Sequence, residues 1–100
     1  MKRYISFKTN INNFEKYFFG FNESITIESM IKAFLKANNS KMPLDIEHIS
    51  VIYNSRLIND EDHLHKKISS IFHNPSKTYA IKVFTCGDLV ASFNVIEKKF

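Results

Sequence analysis

Hydrophobic and polar positions alternate at the start of the chain, shift to a helical spacing, and then alternate again. From Arg3 to Thr9, Ile5 and Phe7 fall on one side and Ser6 and Lys8 on the other, the two-residue period of a half-buried strand. Asn10-Ile11-Asn12-Asn13 follows, and asparagine accepts the left-handed backbone that tight turns need. Phe14 to Phe21 is dense in the aromatics that favour strands, with Tyr17, Phe19 and Phe21 on one face. The pattern predicts a first β-hairpin. The period then changes. Ile27, Met30, Ile31, Phe34 and Leu35 recur at i, i+3, i+4, i+7 and i+8, which predicts a helix over Ile27–Asn38 with one buried stripe. Thr26 or Ser24 is available to cap its free amides. Glu28 in the first turn and Lys36 in the last suit the helix dipole, and Asn38-Asn39 can end the helix.

After a loop from Ser40 to Asp45 that contains Pro43, the chain alternates once more from His48 to Tyr53. Ile49, Val51 and Tyr53 share one side, His48, Ser50 and Ile52 the other. Asn54-Ser55 reads as a turn into Arg56-Leu57-Ile58, and Asn59-Asp60-Glu61-Asp62 as a solvated acidic turn. Leu64, Ile68, Ile71 and Phe72 have roughly helical spacing, predicting a short helical turn before Pro75. Thr78 to Phe84 is the next strand. Leu89 to Ile96 is one more, across Cys86-Gly87-Asp88. No repeat, low-complexity run or linker divides the chain, so 1–100 is expected to be one domain.

Composition narrows the class. A hydrophobic fraction of 44% with ten Phe and four Tyr is enough for a packed core and excludes a disordered tail. No apolar run approaches the roughly 20 residues that cross a bilayer, and no signal-peptide stretch follows Met1-Lys2-Arg3, so no membrane role is expected. A single cysteine, Cys86, builds no disulfide framework and points to a reducing, cytoplasmic or nuclear setting. The net charge of +4 favours acidic partners, protein or nucleic acid. The lysines look scattered and only two arginines occur, which weakens the nucleic-acid reading.

The order strand, strand, helix, strand, short connection, strand resembles that of the ubiquitin-like β-grasp fold, an α+β class with a mixed sheet clasping one main helix. Thr26-Ile27-Glu28 resembles the opening of that family's helix, and Met30 and Phe34 match its next buried positions. Met42-Pro43-Leu44-Asp45 resembles the proline-containing loop that follows. Tyr53-Asn54-Ser55-Arg56-Leu57-Ile58 resembles the family's aromatic-x-Gly-Lys-x-Leu turn, with Ser55 in place of the glycine that a left-handed position prefers. Leu64 and the strand Thr78-Tyr79-Ala80-Ile81 continue the likeness. The core spans about 3–84, leaving 85–100 as a C-terminal extension. Because Lys98-Lys99-Phe100 stands where conjugated modifiers carry Gly-Gly, the resemblance implies the non-conjugated type, whose role is docking. The family's docking surface is an apolar patch on the open face of the sheet. Ile52 falls on its central isoleucine, while Ala80 and Lys82 replace a histidine and a valine. Ser50 and Arg56 complete the expected partner-binding set. In such a sheet the last strand has both edges taken, so Leu89–Ile96 folds to an outer edge, packs on a face, or marks a different fold.

Candidate chemistry is sparse. His63-x-His65 with His73 lacks the donor set of a zinc site, and surface histidines are the expectation. Asp60-Glu61-Asp62 lacks the glycine and ligand spacing of a calcium loop. No base or signature accompanies Cys86, no phosphate-cradling glycine loop is present, and no cofactor or enzymatic activity is expected. The run Tyr17-Phe18-Phe19-Gly20-Phe21, with Lys2, Arg3, Lys8 and Lys16 nearby, admits nucleic-acid stacking. Phe14 and Phe18, if exposed, mark a sticky surface. The expected function is a protein–protein interaction module docking through the open sheet face. A small basic nucleic-acid-binding domain and a structural subunit pairing through an edge strand, with Leu89–Ile96 as the candidate strand, are the alternatives.

Overall fold

A computed structural model describes residues 1–9, 16–37 and 45–85 of the chain. Strand β1 (Lys2–Thr9) pairs antiparallel with β2 (Lys16–Asn22), and helix α1 (Ile27–Ala37) follows. A 3-10 turn (Ile46–His48) leads into β3 (Ile49–Tyr53), which hairpins onto the two-residue β4 (Arg56–Leu57). A second 3-10 turn (Ile68–Ser70) precedes β5 (Thr78–Thr85). The strand order is β2-β1-β5-β3-β4, with β5 parallel to β1 and antiparallel to β3. The opening strand and the Thr78 strand are therefore neighbours, as the β-grasp resemblance implied. Both edges of β5 are occupied, and Leu89–Ile96, Cys86, Phe14 and the Pro43 loop lie outside the described residues.

The helix forms where its stripe and its cap coincide. Ile27, Met30, Ile31, Phe34 and Leu35 are all buried, and burying each such side chain contributes about 1.5–3 kcal/mol. The Phe34 ring stacks on Phe7 at 4.3 Å between centroids, and Phe19 meets Phe7 edge-on at 5.6 Å. Thr26 is the cap: its Oγ1 accepts from the Ser29 amide at 3.1 Å. Ser24, the other candidate, is held instead by Asn22 Oδ1. The next orphan amides are met by the chain's second half, Ile27 N–H donating to Lys66 O and Glu28 N–H to Leu64 O, both at 2.9 Å. The helix N-terminus is thus sealed by protein.

Two polar residues that look solvated in sequence are structural. Arg3, only 5% exposed, donates to the carbonyls of Phe72 and His73 at 2.6 and 3.3 Å and pairs with Glu23 at 3.1 Å. It ties the first strand to the segment before β5 and is not a free member of the basic cluster read around Phe18. Asn59, expected in a solvated turn, brackets β3. Its Nδ2 donates to the carbonyls of Ile46 and Ile49 at 3.2 and 2.9 Å, and its Oδ1 accepts from Val51 N–H at 3.1 Å. His48, expected on the strand, closes the 3-10 turn ahead of it.

The β3–β4 hairpin has two left-handed residues, Asn54 (φ 53°) and Ser55 (φ 65°), the backbone that a two-residue type I′ turn requires. Asparagine tolerates this region, whereas for serine it costs roughly 1–2 kcal/mol. Ser55→Gly is accordingly expected to stabilise the fold by about 0.5–1 kcal/mol, after glycine's added entropy cost, read as a higher urea midpoint at unchanged slope. An unmoved or lowered midpoint would show that the turn is unstrained. Downstream, Asp60 accepts from both the backbone and the Nδ1 of His63. Its carboxyl is held below the ordinary carboxylate range, chiefly by the His63 side-chain hydrogen bond, against the opposing pull of desolvation. A depressed carboxyl stabilises the native state above its unfolded pKa of about 3.9, and that contribution disappears as pH falls through the folded value. Asp60→Asn should therefore lower Tm at neutral pH by more than it does in strong acid. Equal losses at both would argue against this pairing.

Candidate functional site

Residues paired across neighbouring strands point to the same face, so the register sorts the sheet into a helix side and an open side. Ile5, Phe7, Val51, Tyr79, Ile81 and Val83 are buried on the helix side. On the open side the pairings Lys16–Lys8, Lys8–Lys82, Lys82–Ile52 and Ile52–Leu57 make one row across all five strands. A second row holds Phe18, Ser6 and Ala80, and a third Gly20, Tyr4 and Thr78.

Four of the five expected docking residues are on this face. Ile52 is half-buried at its third-strand position, Lys82 is its direct partner on β5, Ala80 lies two residues along the same strand, and Ser50 pairs with Phe84. Arg56 is the exception. It pairs with Tyr53, whose ring packs edge-on against Phe72 at 5.0 Å, so Arg56 stands on the opposite side of the sheet. There it lines a cleft of about 290 Å³ with Tyr53, Ile58, His63, Ile71 and His73. The turn motif identified Arg56, but the two-residue period carries it away from Ile52.

The face has further members outside the expected partner-binding set, among them Phe18, which the sequence marks as a sticky surface if exposed. Leu57, 46% exposed, extends the apolar surface of Ile52 by direct pairing. Phe18 is 71% exposed and Tyr4 50% exposed. The Tyr4 ring lies over Gly20, where an added Cβ would meet its Cε1 at 3.1 Å. Glycine at this point leaves room for the ring, which in turn covers a backbone that glycine exposes. Tyr4, Phe18, Gly20 and Thr78 border a shallow depression of about 240 Å³. The alternation of Tyr17-Phe18-Phe19 held a signal for Phe18, since two of three consecutive aromatics on a strand must share a face and the third must oppose them.

Among the described residues, no group of three or more His, Cys, Asp or Glu side chains gathers to hold a metal. The His63 ring is engaged by Asp60, and His65 is exposed. No described helix is long and apolar enough to cross a membrane.

No protein-family model matches the sequence. No curated protein matches it either. The architecture does have a solved counterpart. The crystal structure of the UBL domain of Plasmodium falciparum Dsk2 superposes with a TM-score of 0.59, covering 85% of this chain and 99% of that one, at 12% sequence identity. Identity so low speaks to fold alone, and it agrees with the strand order and with the helix packed on one side of the sheet. This chain has the ubiquitin-like β-grasp fold, of the α+β class.

Proposed function

We propose that this domain is a protein-interaction module that docks partners through the open face of its sheet, centred on Ile52. A β-grasp fold hosts many activities, so the reading rests on the face and not on the fold. The observation that carries it is the adjoining pair Ile52 and Leu57, with Ala80 on the flanking strand, set outside the core on a regular sheet surface. Rigid strands hold these side chains in fixed relative positions, which lowers the ordering cost of binding. Small apolar anchors beside a lysine suit a partner that supplies its own apolar side chain and a polar rim. Docking of this kind asks for no reaction at the site, and the reading treats the domain as non-enzymatic.

Burying an anchor such as Ile52 contributes about 1.5–3 kcal/mol, roughly ten- to a hundredfold in affinity. Ile52→Asp is expected to remove the proteins that the unaltered domain retains in a comparative pull-down from its own cells, while its circular-dichroism spectrum stays the same. Retention of the same proteins by a folded Ile52→Asp domain would refute the site.

A further inference from the structure

We infer that the cleft around Arg56, on the side of the sheet away from Ile52, binds a phosphate monoester carried on an aromatic ring. The inference goes beyond the docking reading and is independent of it, because the two sites share no residue. The cleft, about 290 Å³, lies between the β3–β4 hairpin and the segment leading to β5. That is near the lower limit of small-ligand sites, roughly 300–1,000 Å³, and gives room for one ring and its substituent. Three nitrogen-bearing side chains line it from three parts of the chain. Arg56 comes from β4, His63 from the loop after it, and His73 from the stretch ahead of β5. None of its described lining residues is Asp or Glu.

Arg56 has the most to offer an anion. It is exposed and makes no hydrogen bond or ion pair among the described residues. Arg3, the other arginine, is tied to Glu23 and two carbonyls. A guanidinium is always charged, and its planar fork takes two oxygens of one phosphate. Asp60 engages His63 through Nδ1, which fixes the ring and leaves Nε2 for a ligand. Because Asp60 offsets charge at that wall, the attraction resides chiefly in Arg56 and His73. The backbone at His73 is pinned on both sides. Its carbonyl accepts from Arg3 Nη2 at 3.3 Å, and the next amide, of Asn74, donates to the Tyr79 hydroxyl at 2.7 Å. Donors from three segments suit the three terminal oxygens of a phosphate monoester, whereas a carboxylate has two. The remaining walls are apolar: Ile58 is buried, Ile71 half-buried, and the Tyr53 ring is held edge-on by Phe72 at 5.0 Å and Tyr79 at 6.0 Å. Inorganic phosphate leaves these walls uncovered. A ring behind the phosphate covers them, and walls already fixed keep the ordering cost low.

Titration of the isotope-labelled domain with phenyl phosphate, inorganic phosphate and benzoate, followed by nuclear magnetic resonance, tests the inference. Phenyl phosphate is expected to shift the Arg56 Nε–H resonance and the His63 and His73 amides to saturation. Inorganic phosphate and benzoate should each bind about tenfold more weakly, the first lacking the ring and the second the third oxygen. Arg56→Gln should weaken phenyl phosphate about tenfold and His73→Gln about threefold, the order that hydrogen bonds to charged groups contribute. Arg56→Lys keeps the charge without the fork and should recover only part of the binding. Both side chains are exposed, so amide spectra that otherwise match wild type show that the variants fold. Ile52→Asp should bind phenyl phosphate as the unaltered domain does, which separates failure of the cleft from failure of the docking face. A short peptide with phosphotyrosine at its centre distinguishes the sources of the ester. Binding at least as tight as that of phenyl phosphate assigns it to a phosphorylated protein, and weaker binding assigns it to a small metabolite. No saturating shift, benzoate or inorganic phosphate as tight as phenyl phosphate, an unaffected Arg56→Gln variant, or shifts confined to the open face would each overturn the inference.

Discussion

The parallel pairing of β1 with β5, with α1 packed over it, is the constraint on which the rest depends. It joins the chain's first strand to its last described one, Tyr4 opposite Thr78 through Thr9 opposite Val83. Such a pairing has no local turn to form it and must be held by what lies on top. Here that is Phe34 stacked on Phe7, with Met30 and Ile31 filling the same layer. Arg3 secures the same junction from its polar end, by charge-assisted hydrogen bonds to the carbonyls of Phe72 and His73. Once β1 and β5 are neighbours in this register, the open face follows. Lys8 meets Lys82, Ser6 meets Ala80, and β3 adds Ile52 beside them.

The two sides of the sheet therefore serve different purposes through one alternation. Strands β1, β2, β3 and β5 contribute apolar side chains to the helix side and turn the intervening residues to the open side, whereas the two-residue β4 puts Leu57 on the open side. On the open side those residues include lysine, serine, alanine, glycine and threonine, punctuated by Ile52, Leu57, Phe84, Tyr4 and Phe18. The loop between β4 and β5 works as a brace. Its carbonyls at Leu64 and Lys66 receive the first helix amides, and Asn59 clips it to β3. The open face is separate from this brace and from the aromatic core.

Much of the helix was legible in sequence because its signal is local. Ile27 to Leu35 carry a five-residue stripe at one period, with a cap immediately before it, and the helix Ile27–Ala37 follows it over the described residues. The strands were legible as alternation, but their order came from a likeness to a known fold, since alternation alone names no neighbour. Arg3 and Asn59 escaped the sequence reading for the same reason. Their partners are far along the chain, Phe72 lying 69 positions from Arg3, and a charged or amide side chain read locally looks solvated. The open face was legible in part. Ile52, Ala80, Lys82 and Ser50 share it by the period, whereas Arg56 pairs with Tyr53 and stands on the opposite side of the sheet. The lysine row was invisible because positions 8, 16 and 82 look scattered until the register aligns them.

The most direct test is a map of interstrand nuclear Overhauser effects to the central strand in isotope-labelled protein. The account predicts backbone contacts of β5 with β1 in parallel register, Phe7 near Ile81, together with antiparallel contacts joining Ile52 to Lys82. A different neighbour for Thr78–Thr85, or a one-residue slip that turned Lys82 toward the helix, would contradict both the fold and the face built on it.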